Sequence, residues 1–423
     1  MNTDATDTTS TTPAKLVSNA PPHRDGATTR SARRPRVAII TRAIDRAKNS
    51  GSGHHLREMV RHLIPLVPDL DITLAHYTPS DDEIYTLAPE LILPTNPLRA
   101  AAVLNRNNFD IVHFSPLTIV SPINGLHARK VATIHSAEPT LLPEAYSWVK
   151  RVHSRHLIPR YARRLDALVT VSETSKAWFS EHYRIPPERI HVTYNACSPA
   201  YRVLPPEQLA AADPRDPLLS GPFILHVSRF SQRKNPWTML EAFAHLISGI
   251  KVERPATAPG DTPPAGSAPP ASVPANLSLV LAGKGWDGPE VRQRATALGI
   301  SERVITPGFV AQETVVRLLN TAAAFWFPSL SEGFGMPNVE AMHCGCPVIT
   351  SAVFAIPEIV GEAAVVIKDP RDTHALADAT RRLLSDPAER RRRVDAGLTW
   401  CKRYDWDESA RVLADVYRSL AGR

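Results

Sequence analysis

The sequence predicts an α/β protein built on two doubly wound, mostly parallel sheets, and three observations lead there. Short apolar runs bounded by Gly, Pro or polar residues alternate with helical segments along most of the chain. The same alternation appears on both sides of a Pro-rich stretch from Pro199 to Pro222, which marks a hinge between two units. A length of 423 residues is enough for two such units and long for one.

The first 34 residues are rich in Thr, Ala, Ser and Pro and lack the apolar segment of a signal peptide, so they read as a disordered tail. The first domain is expected over residues 35–200. Its strands read at Arg36–Thr41, Asp71–Tyr77, Ile111–Ser115, Lys130–His135, Ala167–Ser172 and His191–Tyr194. After the first of these, Arg42 to Ser50 is either a polar loop or part of a recognition surface. Gly51-Ser52-Gly53 then opens a helix beginning near His54 and His55. Leu56 stands where a dinucleotide fingerprint would need its third glycine.

The second domain is expected over residues 201–405. It opens with the strand Phe223–Val227 and a helix from Pro236 to about Ile250, with Asn235 as N-cap and Pro236 at the first helical position. Leu240, Phe243, Ala244 and Ile247 form that helix's apolar stripe. Residues 252–275, rich in Pro, Ala, Gly, Ser and Thr, read as a low-complexity loop insertion and hold many of the 39 prolines. Strands follow at Leu277–Leu281, Arg303–Phe309, Ala323–Pro328, Pro347–Ser351 and Ala363–Ile367, and a last helix at Trp406–Leu420. Each half is therefore a Rossmann-like domain.

Composition narrows the class further. No run of about 18 apolar residues exists to span a bilayer, and a cytoplasmic protein is expected. Cys197, Cys344, Cys346 and Cys401 show no secreted-type framework, and Cys344-Gly345-Cys346 without a second pair makes a poor zinc site. They read as small buried thiols. A net charge of +7 points to an acidic partner, but no nucleic-acid reader motif is present.

Chemistry concentrates in two places. In Ser331-Glu332-Gly333-Phe334-Gly335-Met336-Pro337-Asn338-Val339-Glu340, two glycines bracket a tight loop and Pro337 suits the first turn of a following helix. A helix N-terminus favours anions, and Glu332 and Glu340 flank it with carboxylates able to accept hydroxyl hydrogen bonds. The pattern suits a sugar nucleotide, which carries hydroxyls on both sides of a diphosphate. In Ser228-Arg229-Phe230-Ser231-Gln232-Arg233-Lys234-Asn235, Arg229 follows a strand and Lys234 precedes a helix, placing two cations in a βα crevice. Arg233 reads as a solvated neighbour able to replace either.

The glutamate block resembles the E-x7-E signature of the retaining glycosyltransferases of family 4, which have the GT-B fold of two Rossmann-like domains facing a cleft. The likeness continues through Ala341–Thr350 and Ile356–Ala364 and is strongest over about residues 222–420. It implies transfer of a hexosyl group, mannosyl or glucosyl, from a nucleoside-diphosphate sugar, with GDP-mannose and UDP-glucose first in line, to a carbohydrate, lipid-linked or small-molecule hydroxyl. It implies no cofactor and no metal, since fixed cations stand in for a divalent ion. Arg229 and Lys234 match the family's Arg-x4-Lys element, which contacts the donor diphosphate. Glu332 is then expected at the sugar hydroxyls, Glu340 at the ribose, and Phe334, Gly335 and Met336 along the loop near the sugar. The last helix, 406–423 with its tail, is expected to cross back to the first domain.

The resemblance also gives meaning to residues that are weak signals alone. Gly51, Ser52 and Gly53 are similar to the family's first glycine-rich loop. His135 matches the histidine of a strand-terminal His-Asp pair that reaches the donor sugar, with Ser136 in place of the aspartate. Val171–Lys176 and Tyr194-Asn195-Ala196 resemble cleft segments; Ala196 replaces a glycine, so Asn195 is a secondary donor-binding candidate. Two other classes remain open: a sugar-nucleotide epimerase on the same scaffold, and a non-catalytic sugar-nucleotide-binding protein.

One further cluster stands apart from this chemistry. Lys150, Arg151, Arg155, Arg160, Arg163 and Arg164 crowd a helical segment with no acid among them, beside a stripe of Ala145, Trp148, Val149 and Val152. The stripe is either a core face with a cationic outer side, or a surface for anionic lipid or a phosphorylated acceptor. In the second case the protein associates with the cytoplasmic face of a membrane.

Overall fold

The computed structural model describes residues 33–46, 51–210, 221–248 and 273–422. The expected tail up to residue 32, the end of the segment before Gly51, most of the later part of the hinge and nearly all of the Pro-rich insertion lie outside them. Among the described residues thirteen strands form two sheets. The first holds β1 (Arg36–Ile40), β2 (Asp71–His76), β3 (Glu90–Ile92), β4 (Ile111–Phe114), β5 (Arg129–Thr133), β6 (Ala167–Thr170) and β7 (Ile190–Val192), in the order β3-β2-β1-β4-β5-β6-β7. The second holds β8 (Phe223–Val227), β9 (Ser278–Ala282), β10 (Val304–Gly308), β11 (Ala324–Phe327), β12 (Val348–Ser351) and β13 (Val365–Ile367), in the order β10-β9-β8-β11-β12-β13. Every pairing is parallel.

Parallel strands buried on both faces read as continuous apolar runs, which is why the sequence locates nearly all of them. The exception is β3. It has three residues, sits at the sheet edge and is preceded by Pro89, too short for any pattern to register. The segment after β1 also departs from the polar-loop reading: it starts as a helical turn at Arg42–Arg46. Helix α1 (Gly51–Leu66) already includes Gly51, three residues ahead of the expected start.

Further helices position the site: α2 (Glu173–Tyr183), α3 (Pro236–Ser248), α4 (Met336–His343), α5 (Ile356–Val360) and α6 (Trp406–Ala421). On α3, Leu240 and Phe243 are buried while Ala244 and Ile247 are only partly covered, and Met239 and Leu246 complete the buried stripe. Asn235 precedes α3 but does not cap it in the expected way. Its backbone is left-handed, with φ of 61°. Its side chain donates to the carbonyls of Pro328 and Pro370 and accepts from the Thr238 hydroxyl, tying α3 to the loops beyond β11 and β13.

Alternation along the central strands sorts their side chains between cores. Val37 and Ile39 of β1 join Phe223, Leu225, Phe325 and Phe327 of the second sheet in one core that runs through the seam. Ala38 and Ile40 face a second core on the outer side of the first sheet, and Ile224 and Trp326 a third. Helix α6 follows the second sheet in sequence but lies on the first. Asp405 caps it at the Glu408 amide, Arg418 forks onto Asp69, and the Tyr417 hydroxyl meets His113 Nδ1 of β4 at 2.5 Å. Among the described residues no helix is long and apolar enough to cross a membrane.

Candidate active site at the seam between the two sheets

In an open α/β sheet, ligands bind beyond the carboxyl ends of the strands where the order reverses. In the second sheet that point lies between β8 and β11. The two segments singled out in sequence leave the sheet there, Ser228–Asn235 after β8 and Pro328–Gly335 after β11.

The loop after β11 needs its glycines. Gly335 has φ of +90°, and a Cβ there would sit 3.0 Å from Asn338 Nδ2. At Gly333 a Cβ would stand 2.4 Å from the His135 carbonyl oxygen and 2.7 Å from Ser136 Cβ, so only glycine lets this loop reach the loop after β5. The two sheets thus meet at Gly333 and His135. Phe334 turns away into the core, edge-on to Tyr404 at 5.2 Å, so its ring supports the loop from beneath. Met336 is half-buried at the start of α4.

Glu332 is the hub of the charged groups. Its Oε1 lies 2.6 Å from Lys234 Nζ and 2.5 Å from Arg233 Nη1, and it accepts from the Ser329 hydroxyl at 2.7 Å. Glu332 and Lys234 are nearly closed to water, at 7% and 8% exposure, and Arg233 is half-buried. Burial by itself raises the Glu332 carboxyl, but Lys234 and Arg233 outweigh it and hold it well below the usual range. Burial lowers Lys234, and Glu332 opposes the shift. Lys234 Nζ also lies 4.4 Å from the Phe327 ring centre.

Two of these placements differ from the sequence reading. Arg233 is no solvated neighbour: besides Glu332 it donates to the Ser331 carbonyl at 2.9 Å and lies 3.4 Å from Glu138, which follows β5. Arg229, by contrast, is exposed at the end of β8. Arg233 and Glu138 join across 95 positions of chain, and nothing local to either marks the contact.

Glu340, one turn into α4, is half-buried and separate from that hub. Burial pushes its carboxyl up to about 7, against the opposing pull of a Tyr201 hydrogen bond and of Lys234. Around it, Cys344, Cys346 and Cys401 are buried and Cys197 is half-buried; all four thiols are free and pushed up by burial. Among the described residues no group of three or more His, Cys, Asp or Glu is placed to hold a metal ion.

The first domain's candidates converge on the opposite wall. His135 leaves the sheet just after Ile134, the last residue bonded to the β6 backbone. Its Nε2 is enclosed and unpartnered, and burial, then His55, lowers it well below the usual histidine value, so the imidazole is neutral. His55, in the first turn of α1, packs edge-on against His135 at 4.7 Å and shares a 2.7 Å hydrogen bond with Asn195 Oδ1. The Gly51-Ser52-Gly53 turn, His135 and Asn195 are therefore brought together through His55. Sequence reasoning passed over this residue although it lies two positions after Gly53.

Glu358 of α5 closes the seam from the other side. Its carboxylate accepts from the Glu173 and Thr174 amides at 2.8 and 2.7 Å, from the Thr174 hydroxyl at 2.6 Å and from Tyr194 at 3.0 Å. A residue of the second domain thereby caps helix α2 of the first, where a carboxylate is favoured. The stretch Ile356–Ala364, which holds Glu358, carries part of the family likeness in the sequence; its partner on α2 was not visible there.

Family models match both halves of the chain. Residues 32–201 match the model described as Glycosyltransferase Family 4, and residues 268–400 the one described as Glycosyl transferases group 1. The chain belongs to glycosyltransferase family 4. The relatives of this glycosyltransferase include mannosyltransferases by name. The O-antigen chain mannosyltransferase B of Escherichia coli is 28% identical over 69% of this chain and 71% of its own. The MMP alpha-(1->4)-mannosyltransferase of Mycolicibacterium hassiacum is 28% identical over 78% and 75%. Among solved structures, Anabaena HepE in complex with UDP-glucose superposes with a TM-score of 0.68 at 18% identity, covering 91% of this chain and 99% of that one. The fold is GT-B, two Rossmann-like domains with parallel sheets, and the protein is an enzyme of the glycosyltransferase class.

Proposed function

We propose that this glycosyltransferase moves a mannosyl or glucosyl group from a nucleoside-diphosphate sugar to a hydroxyl acceptor, with retention at the anomeric carbon and without a metal ion. The observation that carries this reading is the Glu332 hub at the switch point of the second sheet. A buried lysine and a half-buried arginine wait there on a carboxylate, in a place that suits a diphosphate. The names of the two mannosyltransferases favour mannose, and the UDP-glucose bound by HepE supports a nucleotide-sugar donor and keeps glucose in view.

In this reading Lys234, Arg233 and the N-terminus of α4 stabilise negative charge as it grows on the leaving diphosphate. Arg229, exposed in the free protein, comes onto the diphosphate from the crevice rim. The acceptor hydroxyl attacks from the face the leaving group departs. The new C–O bond forms as the sugar–phosphate bond breaks, and the hydroxyl proton goes to the departing diphosphate oxygen, so no protein nucleophile is needed. Glu332 holds sugar hydroxyls and Glu340 the ribose. Neutral His135 offers its unpartnered Nε2 to the sugar, and the α1 turn with Asn195 lines the facing wall.

Thermal unfolding with GDP-, UDP- and ADP-sugars tests the donor, because a ligand of the folded state alone raises its stability by mass action. GDP-mannose, or else UDP-glucose, should give the largest upward shift. No shift with any of them removes the donor assignment. Donor incubated alone should stay unchanged; an epimer would replace transfer with isomerisation. Activity should persist in chelator, and a strict divalent-ion requirement would overturn the metal-independent mechanism.

A further inference from the structure

A surface beside the cleft is built for a different partner. Residues Trp148–Val152, His153–Leu157 and Ile158–Ala162 make one continuous helical strap, α-helical at each end with a π-helical turn between. The sequence left open whether Trp148, Val149 and Val152 face a core. They do not: Trp148 is 67% exposed, Val149 41% and Val152 43%. Three large apolar side chains within one turn and a half of helix stand in water, and such contiguous exposure marks an interaction site.

The cations around this ridge have no acidic partner among the described residues, although Lys150 Nζ lies over the Tyr146 ring at 5.7 Å. Lys150, Arg151 and Arg155 are exposed, and no acidic side chain of the described residues forms a salt bridge with them. No Asp or Glu occurs between Glu144 and Asp166. Trp148, Arg151, Val152 and Arg155 line a groove of about 640 Å³ whose far wall is Pro139, Thr140 and Pro143. A second cleft of about 520 Å³ shares Thr140, Arg155 and His156 with it and adds Arg160, Arg163 and Arg184. The groove starts one residue beyond Glu138, which faces Arg233 in the hub. The basic, apolar surface thus runs up to the edge of the candidate active site.

We propose that this strap docks on an anionic membrane. A bilayer with anionic headgroups offers what both halves of the surface need. Trp148, Val149 and Val152 enter the headgroup boundary, where an amphipathic ring is favoured, and Lys150, Arg151 and Arg155 meet the phosphates. A free phosphate or a soluble phosphorylated sugar would engage the cations but leave the ridge in water. Docked in this way, the groove connects the lipid surface to the cleft beside Glu138.

The test is sedimentation of the full chain with vesicles of phosphatidylcholine, with and without phosphatidylglycerol. It reads lipid binding directly and does not depend on the transfer reaction. The wild type should bind the anionic vesicles, more weakly as salt is raised, and bind neutral ones little. K150Q/R151Q/R155Q should lose about fivefold per cation, roughly a hundredfold in all. Trp148→Ala should also bind at least several-fold more weakly, and both variants should keep the wild-type thermal shift with nucleotide. No binding by the wild type, or equal binding by the triple variant, overturns the proposal. Loss in the triple variant with none in Trp148→Ala, together with competition by inorganic phosphate at matched ionic strength, assigns a soluble-anion site instead and overturns it too.

Discussion

Arg233 and Lys234 at the seam, and Lys150, Arg151 and Arg155 on the strap, are two groups of cations in opposite circumstances. The first pair is largely withdrawn from water and shares one carboxylate, Glu332. The second group is exposed, with no acid in its stretch of chain. A charge removed from water has to be paired, and taking away one partner leaves the other uncompensated, whereas an exposed cation is stabilised by solvent and stays free for an outside partner. Fold stability is therefore coupled to charge at the seam and uncoupled from it on the strap.

The sharpest way to break that comparison is Lys234→Ala. Turnover should fall by about two orders of magnitude or more, the scale of losing one charge-stabilising donor. Unfolding free energy should drop by about 3 kcal/mol, because Glu332 keeps only Arg233. Arg229→Ala should lose turnover on the same scale, yet leave urea unfolding within about 0.5 kcal/mol of wild type, since Arg229 is exposed. Near-normal turnover in both variants would remove the diphosphate assignment.

Glu332→Gln should cost about 3 kcal/mol of unfolding free energy without ligand. Free nucleoside diphosphate should still bind, and should raise the melting temperature more than it does in wild type, because its phosphates take over the two cations. Transfer should fall nonetheless, for want of a group to hold the sugar. Glu340→Gln should instead weaken donor and free diphosphate alike, by about 1.5 to 3 kcal/mol in calorimetric titration. If Glu332→Gln loses the diphosphate and Glu340→Gln keeps it, the two roles are exchanged.

Glu340 also gives a pH signature of comparable size. Its carboxyl is raised from 4.5 to about 7, so the folded chain holds a proton that the unfolded chain releases between those values. The resulting stability is present below pH 4.5 and lost as pH rises through 7, by about 3 kcal/mol at most. Burial acts the other way on His55, lowered to about 4, and on His113 and His226, lowered to about 3; their contribution is present above 6.5 and lost as pH falls. The difference between wild type and Glu340→Gln isolates the carboxyl. From pH 5 to pH 8 the wild type should lose stability relative to the variant, and parallel curves would contradict the assignment. On the strap, the smallest effect is expected: K150Q/R151Q/R155Q should unfold within about 0.5 kcal/mol of wild type.

Much of the molecule follows from the sequence alone because its signals are local. Central strands such as Phe223–Val227 are apolar runs closed by turn residues, and the Glu332-to-Glu340 block places two acids, two glycines and a helix start within ten positions. The likeness to family 4 rests on such compact stretches. Tertiary structure alone decided which cations are paired, that Arg233 belongs to the hub, that Glu138 approaches it from the first domain, and that Glu358 caps a helix some 185 residues earlier. It also decided which way the Trp148 stripe faces: a helical period shows that a face is apolar, but not whether anything covers it. These are all questions of what meets across the seam or fails to meet, and a hydrogen bond or ion pair is set by distance in space, which spacing along the chain encodes only within an element.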